Sequence, residues 1–186
     1  VQGRGWRRSS ILSARSLDLF AATVSLFHMD WALFAIFFMG CVAAGSTGAV
    51  FAPDDWYRKQ IAKPSWIPPD WVFPAAWSVL YILIALAAAR VAKLPGAEYA
   101  LALWALQMTL NALWSPIFFG IRRIRAALIA VGALWLAVAA TMIALFQLDW
   151  IAGALFVPYL AWVSIAASLN WWIWRNNEDR YAQPAE

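Results

Sequence analysis

The sequence predicts an all-α membrane protein, a bundle of five transmembrane helices, on two observations. Of its 186 residues, 64% are hydrophobic and only 13% are charged, whereas a soluble globular domain carries about 25% charged residues. The few charges are clustered and leave five intervals without Asp, Glu, Lys or Arg: 31–53, 71–89, 99–121, 126–148 and 150–174. Each interval reaches the ~20 apolar residues that a helix needs to cross a bilayer. Since lipid leaves no backbone group unsatisfied, each should be helical.

Tryptophan marks the ends of these intervals. It occupies 14 positions, and indole favours the lipid–water boundary, where the ring is buried and the N–H stays hydrated. Four tryptophans directly follow an aspartate: Asp30-Trp31, Asp55-Trp56, Asp70-Trp71 and Asp149-Trp150. Because Asp is a good N-cap and interacts favourably with the positive end of the helix dipole, each pair predicts the start of a helix.

Residues 1–28 differ from the rest of the chain. They hold four arginines and the single histidine, His28, with a short apolar stretch at 19–27. Two interpretations stay open: a signal peptide that lacks a clear cleavage site, or an upstream extension of the reading frame with Met29 as the true start. The five-helix domain is therefore predicted over 29–176, followed by a polar C-terminal tail at 177–186.

Helix 1 is predicted over about 31–50. It carries Gly40, Ala44 and Gly48 at a spacing of four, which lets two helices approach closely. Packing against a second copy in a dimer and packing inside the bundle are both compatible with this pattern.

The 51–70 loop follows. Asp54 and Asp55 can start a short helix through Ile61. The segment from Lys63 to Pro69 should then be extended, because its three prolines fix φ and remove donors. This stiff, aromatic loop could cover one mouth of the bundle.

Helices 2 to 5 are predicted over about 71–90, 98–120, 125–148 and 150–174. Their connections are short, so consecutive helices should be antiparallel neighbours. Pro116 and Pro158 lie within helices 3 and 5, where each should bend its helix.

Loop charge predicts the orientation. With five spans, one side holds eight cations: Arg58, Lys59, Lys63, Arg122, Arg123, Arg125, Arg175 and Arg180. The other side holds Arg90 and Lys93, joined by the four N-terminal arginines if that segment is present. Without that segment, the excess of eight cations over two places the C-terminus and the 51–70 loop in the cytoplasm. With it, eight cations against six decide little.

Several kinds of chemistry have no visible carrier in this sequence. The single cysteine, Cys41, and the absence of histidine from the spans leave no metal cluster. No triad, phosphate loop or dinucleotide motif occurs, and no carboxylate lies within a span. The small net charge of +4 suits anionic headgroups rather than nucleic acid. Hydrolytic, phosphoryl-transfer and metal chemistry are therefore disfavoured.

Aromatic and amide side chains share faces of three helices. Helix 3 presents Trp104, Gln107, Asn111, Trp114 and Phe118 at spacings of three and four, which is one helical face. Helix 5 presents Tyr159, Trp162 and Ala166, and helix 2 presents Trp77 and Tyr81. An amide in hydrocarbon is costly without a partner, so Asn111 should point inward. Either the amides join helices, or these faces wall a pocket for a large, flat, apolar ligand.

The order of these motifs resembles the tryptophan-rich sensory protein family, TspO or translocator protein. The resemblance rests on Trp56-Tyr57, Lys63 to Pro69, Phe73 with Trp77 to Tyr81, Asn111 to Trp114, Phe118 to Gly120, Val157 to Trp162, and Leu169-Asn170. It covers roughly 29–176.

The resemblance implies a five-helix bundle, usually a homodimer, with a cavity under the first loop. It implies as ligands porphyrins, haem and sterol-like lipids, with no required cofactor. Matched position by position, the binding residues would be Tyr57, Trp66, Trp77, Asn111, Trp114, Tyr159, Trp162 and Ala166. Trp77 and Trp162 match tryptophans linked in the family to light-dependent porphyrin breakdown. The family's sterol motif is incomplete here, because Trp171 and Trp172 stand where a tyrosine is expected.

Three functions from different classes follow as hypotheses. The leading one is a non-enzymatic membrane receptor or carrier for tetrapyrroles, with a sensory role in their metabolism and Lys63 or Arg58 meeting a propionate. The second is an enzyme that degrades porphyrin in light, and the third is a regulatory scaffold that acts through protein partners. The short first loop and the lack of a long basic tail favour a bacterial envelope.

Overall fold

The computed structural model describes residues 29–181, and the side chains as far as Asn177. Predictions about residues 1–28 and about 182–186 lie outside the described residues. The chain divides into two units, 1–30 and 31–186, and the structure reported below is that of the second.

The second unit is all-helical within the described residues, which confirms the predicted fold class. Its five long helices are α1 Trp31–Val50, α2 Val72–Val91, α3 Ala97–Ser115, α4 Ile124–Leu148 and α5 Trp150–Tyr181. Single π-helical turns cover Trp56–Gln60 and Pro116–Gly120. All five helices, α3 together with its π-helical turn, are long and apolar enough to span a membrane.

The aspartates start helices less uniformly than expected. Asp149 is an N-cap as predicted, since its Oδ1 accepts the Ala152 N–H at 2.9 Å. The starts predicted at Asp30-Trp31 and Asp55-Trp56 are also confirmed, because α1 begins at Trp31 and the first π-helical turn at Trp56, although Asp55 makes no side-chain capping hydrogen bond. At Asp70-Trp71 the prediction was wrong, because α2 begins at Val72 with Trp71 at the N-cap position. The turn before α2 is closed by the backbone instead, with Val72 N–H donating to Pro69 C=O at 2.9 Å.

The expectation that consecutive helices are neighbours is confirmed for α1–α2, α3–α4 and α4–α5 and is wrong for α2–α3. Around the bundle α1 packs against α2 and α3, α2 packs against α5, and α4 lies between α3 and α5. Although only a short turn joins them, α2 and α3 scarcely meet along their backbones. Long side chains bridge them instead: Trp104 Nε1 donates to Ile84 C=O at 3.3 Å. The separation of α2 and α3 leaves room between them.

Pro116 ends the α-helical part of α3 rather than bending it. The next five residues form a π-helical turn, closed by Ile121 N–H donating to Pro116 C=O at 2.9 Å. Pro158, by contrast, lies inside α5. The wider turn after Pro116 carries Phe118, which is almost fully buried.

The tightest part of the core lies at the end of the bundle away from the 51–70 loop. Fully buried residues there are Ala87, Ala88, Val91, Leu145, Ala152 and Phe156. An ion pair between Arg90 and Asp149 (2.6 Å) joins the end of α2 to the start of α5. Alanines let these helices approach closely, so this end of the bundle is filled.

Candidate functional site

A cavity of about 480 Å³ occupies the other half of the bundle, next to the 51–70 loop. This volume lies within the ~300–1,000 Å³ usual for small-molecule sites. All five helices and the loop contribute to its lining, including Gly45, Gly48, Pro53, Phe73, Tyr81, Phe119, Leu134 and Asn170. Most lining residues are apolar or aromatic, so the cavity suits a hydrophobic ligand.

Six of the eight predicted binding residues line this one cavity: Tyr57, Trp77, Asn111, Trp114, Trp162 and Ala166. Trp77 comes from α2, Asn111 and Trp114 from α3, and Trp162 and Ala166 from α5. The structure therefore brings together residues that lie more than one hundred positions apart. That they contact a ligand stays a prediction.

Two indoles, Trp77 from α2 and Trp162 from α5, form part of the wall. The Trp77 ring lies 5.1 Å from the Tyr81 ring, and the Trp162 ring packs edge-on against Phe73 at 5.6 Å between centroids. Aromatic neighbours at 4.5–7 Å restrict each other's rotamers and contribute about 0.5–1.5 kcal/mol per pair. Both indoles are thus supported by a second aromatic ring while remaining accessible from the cavity.

Asn111 is held by a chain of hydrogen bonds across three helices. Tyr81 Oη donates to Asn111 Oδ1 at 3.2 Å, and Asn111 Nδ2 donates to Tyr159 Oη at 3.3 Å. Tyr159 Oη in turn donates to Gln107 Oε1 at 2.8 Å. A side-chain amide has two N–H donors and two acceptor lone pairs on its oxygen, so Asn111 keeps one N–H and one lone pair for a ligand. Asn111 can therefore join helices through the bonds that it already makes and still offer a hydrogen bond to a ligand in the cavity.

Tyr159 is one of the two predicted residues that do not line the cavity. Its side chain is fully buried, with 0% of its surface exposed, and its ring packs against Trp77 at 6.0 Å. Its hydroxyl is used by Asn111 and Gln107. Tyr159 therefore lies behind the wall and orients Asn111 and Trp77.

Trp66 is the other. It lies in the turn closed by Ile67 N–H donating to Pro64 C=O at 3.2 Å, within the segment expected to be extended. Half of its surface (51%) is exposed. In this structure Trp66 is on the outside of the loop rather than on its cavity side.

Trp114 is fixed at the junction of three helices. Its Nε1 donates to Asn170 Oδ1 at 3.1 Å, and Asn170 Nδ2 donates to Ile124 C=O at the start of α4 (3.2 Å). Its ring stacks on Phe118 at 5.0 Å. These contacts fix the position of the indole, which lines the cavity.

The 51–70 loop forms one end of the cavity, and Tyr57 is the aromatic residue that it contributes to the lining. The Tyr57 ring packs edge-on against both Phe118 and Phe119, at 5.9 Å and 5.2 Å between centroids. Burial, together with the nearby Asp70 charge, raises the pKa of Tyr57 to about 12. The phenol is therefore neutral at physiological pH and can donate a hydrogen bond.

The loop is tied to the α3–α4 turn by Asp54. Its Oδ1 accepts the Tyr57 N–H at 3.1 Å, and its Oδ2 pairs with Arg122 at 2.7 Å. The Tyr57 N–H and then the Arg122 guanidinium lower the pKa of this carboxyl despite some desolvation. Arg122 also lies over the Trp56 ring at 5.4 Å.

Asn177 is a positioning residue that the sequence did not reveal, since it was assigned to the polar tail. In the structure α5 continues past position 174, and Asn177 is buried in it. Its Oδ1 accepts the Ala62 N–H at 2.9 Å and its Nδ2 donates to Ala62 C=O at 3.1 Å. This paired bond joins the loop to α5. The one sequence feature that pointed to this role is that Asn177 lies two helical turns after Asn170 and therefore on the same face of α5.

Small residues make room for the cavity wall. A Cβ at Gly45 would lie 2.6 Å from Tyr81 Cε2, and one at Gly40 would lie 3.3 Å from the Trp104 ring. Ala44 is buried and Gly48 lines the cavity. Of the two alternatives for the helix 1 stripe, the structure provides packing inside the bundle.

Metal-ligating side chains do not cluster here. Among the described residues there is no group of three or more His, Cys, Asp or Glu side chains that could hold a metal ion. Cys41, the single cysteine, is buried in α1.

The chain is similar to known proteins over almost all of its helical part. The sequence profile of the TspO/MBR family matches residues 32–175. A tryptophan-rich sensory protein of Cereibacter sphaeroides is 53% identical over 153 residues, which is 82% of this chain and 96% of that protein. Protein CrtK of Rhodobacter capsulatus is 47% identical over 153 residues, covering 80% and 95%. The human translocator protein is 39% identical over 127 residues, covering 66% and 75%. On its profile match, its relatives and its five long apolar helices, this integral membrane protein belongs to the TspO/MBR family.

Proposed function

We propose that this protein is a membrane receptor or carrier that binds porphyrins, such as haem or protoporphyrin-like tetrapyrroles, in the cavity under the 51–70 loop. One observation carries the proposal: three indoles and one fixed amide, Trp77, Trp114, Trp162 and Asn111, line a single cavity of about 480 Å³. Flat aromatic walls suit a flat aromatic ligand, because offset stacking requires two planar surfaces. Binding would report tetrapyrrole supply to the cell.

Within this proposal each wall residue has a role. Trp77 and Trp162 stack on the macrocycle, and Asn111 offers it a hydrogen bond. Tyr159 and Gln107 keep Asn111 in place through their own hydrogen bonds. Sterol-like lipids are a second ligand class for the same apolar cavity, since Leu169 lines it while the sterol motif beyond it is incomplete.

Titration of the purified protein with a porphyrin, followed by the shift of the porphyrin absorbance band, tests the proposal. Asn111→Ala should weaken binding about tenfold, because a lost hydrogen bond with buried partners costs about 1–3 kcal/mol and 1.4 kcal/mol is tenfold. Trp162→Phe should weaken it about two- to tenfold through lost stacking.

Trp150→Phe is the matched control. It makes the same substitution on the same helix, at an indole that is 72% exposed and lies at the opposite end of the bundle. It should bind porphyrin like the unmodified chain. If Asn111→Ala and Trp162→Phe also bind normally, porphyrin does not occupy this cavity.

A second candidate function is light-dependent porphyrin degradation, favoured by the presence of both Trp77 and Trp162 in the lining. An indole would donate an electron to the photoexcited porphyrin, and dioxygen would be the oxidant that opens the ring. Illumination of the protein–porphyrin mixture should then give a bilin-like product. A yield equal to that of a detergent control, or unchanged in Trp77→Phe and Trp162→Phe, would exclude this activity.

We also propose a bacterial envelope location, with the C-terminus and the 51–70 loop on the cytoplasmic side, and a homodimeric state. Support for the orientation comes from the cation count of the loops. The Arg122–Asp54 and Asn177–Ala62 contacts join the loop, the α3–α4 turn and the end of α5 at one end of the bundle. Reporter fusions after residue 186, active only in the cytoplasm, test the orientation, and light scattering in detergent tests the dimer.

A further inference from the structure

Two opposite charges stand at the mouth of the cavity. Arg58 and Asp70 come from different parts of the 51–70 loop, and both line the cavity. They are the only charged side chains among its lining residues in the part of the chain that the structure describes. An otherwise apolar and aromatic cavity thus has one cation and one anion where it opens.

The pairing between these two charges is loose. Arg58 Nη1 and Asp70 Oδ2 are 3.8 Å apart, and the side chains are 58% and 84% exposed. A well-formed pair of this kind has its atoms at about 2.7–2.9 Å, as in Lys59–Asp55 (2.9 Å). Exposed ion pairs contribute only about 0–1 kcal/mol. A stronger anionic partner could therefore replace Asp70 at little cost.

The rest of the Arg58 side chain is anchored. Its Nε donates to Pro53 C=O at 3.3 Å, which holds the guanidinium near the mouth. Lys63, the other cation considered for this role, does not line the cavity. Its Nζ donates to Arg58 C=O at 3.2 Å and lies over the Tyr57 ring at 4.8 Å. The structure thus distinguishes two cations that the sequence could not.

We propose that Arg58 is a specificity-determining residue that selects flat apolar ligands carrying a carboxylate on one edge, and that Asp70 is an internal competitor which the ligand carboxylate displaces. This inference rests on the proposed function. The ring of such a ligand enters the aromatic part of the cavity while its carboxylate edge stays at the hydrated mouth. The planar guanidinium then forms two parallel hydrogen bonds to the carboxylate, whereas Asp70 repels any carboxylate that Arg58 does not neutralise.

The test compares one macrocycle in two charge states: a porphyrin dicarboxylic acid and its neutral dimethyl ester. Both are titrated into the purified full chain in an uncharged detergent, and the ratio of the two affinities is the readout. The unmodified chain should bind the acid about fivefold more tightly, which is about 1 kcal/mol at 1.4 kcal/mol per tenfold. Arg58→Gln should reduce this ratio to about one. Asp70→Asn should raise it above that of the unmodified chain, because Arg58 loses its competitor.

Lys59→Gln is the matched control. It removes the same charge from the adjacent position of the same loop, but Lys59 pairs with Asp55 and does not line the cavity. Its ratio should stay at about five. An equal fall in Lys59→Gln and Arg58→Gln would mean that only the net charge matters, and would overturn the inference.

The failures of the two proposals are distinguishable. If the unmodified chain binds acid and ester equally, or if Arg58→Gln keeps the preference for the acid, Arg58 does not select and the proposed porphyrin site stands. If the unmodified chain binds neither compound, the proposed function and this inference fall together.

Discussion

Replacing Asn177 by alanine should loosen the 51–70 loop without weakening the bundle. The Asn177 side chain is only 2% exposed. It supplies both hydrogen bonds that hold Ala62, at 2.9 Å to the N–H and 3.1 Å to the C=O. A third bond, to Ile173 C=O at 2.7 Å, lies within α5. The substitution removes the paired bond to the loop, while alanine is the best helix former and should preserve α5.

The magnitude follows from these bonds. Each contributes about 1 kcal/mol net, so losing the two bonds to Ala62 should destabilise the closed loop by about 2 kcal/mol. At 1.4 kcal/mol per tenfold, the open population rises roughly 25-fold. The Arg122–Asp54 pair and the Arg122–Trp56 contact remain, so the loop should open more often but stay attached.

Amide hydrogen exchange of the loop measures this opening directly. The Ala62 amide, bonded to Asn177, should exchange roughly 25-fold faster in Asn177→Ala. The Tyr57 amide, bonded to the retained Asp54, and the amides in α2 should not change. Asn176→Ala is the control: it removes the neighbouring side chain, which is exposed and bonds only to Trp172 C=O within α5 (2.8 Å). Equal exchange in both variants, or no acceleration in Asn177→Ala, would refute the assignment of Asn177 as the residue that holds the loop.

Two further outcomes are expected. Gly45→Ala places a Cβ 2.6 Å from Tyr81 Cε2, so the Tyr81 side chain must move away from Asn111. The free energy of unfolding should fall by about 1–3 kcal/mol, and porphyrin affinity should fall as well because Asn111 loses a partner. Gly132→Ala, whose Cβ meets nothing within 4 Å, should be neutral or slightly stabilising; a loss equal to that at Gly45 would contradict the steric argument. At the other end of the bundle, burial raises the pKa of Asp149, but the hydrogen bonds from Arg90 and Ala152 outweigh it and lower the pKa below its ordinary value of 3.8. The Asp149 contribution to stability is therefore complete above pH 3.8 and is lost as the pH falls through the lower, folded value. Thermal unfolding in detergent should show this acid-dependent loss in the unmodified chain and less of it in Asp149→Asn; identical pH profiles would remove Asp149 from the acid response.

Motif spacing predicted many residues of the candidate site, but not which of them line the cavity and which lie behind its wall. Trp77, Asn111 and Trp162 were placed on inward faces and do line the cavity, because an amide or indole in a span is satisfied only inside the bundle. Tyr159 shared the same helical face as Trp162 yet lies behind the wall. Periodicity gives the face of a helix but not the depth of a side chain, which depends on the neighbouring helix.

The loop was harder to predict for a different reason. Its prolines indicated a stiff segment, but its position depends on contacts with residues over one hundred positions away, such as Ala62 with Asn177. Asn177 had no local signal that separated it from an ordinary polar tail. Likewise Arg58 and Lys63 were equivalent in sequence, and only their contacts with Asp70 and Tyr57 separate them.

The amino-acid sequence by itself determined the five spans and their approximate limits, because the length and charge of an apolar segment are local properties that decide whether it can cross a bilayer. Its motif order also determined the family. Only the tertiary structure decided that α2 and α3 stand apart, that a cavity lies between the helices next to the loop, and which charges reach its mouth. These helices are apolar on nearly all sides, so their sequences hold little information about which face meets which neighbour. That choice depends on packing between distant residues, such as Gly45 against Tyr81.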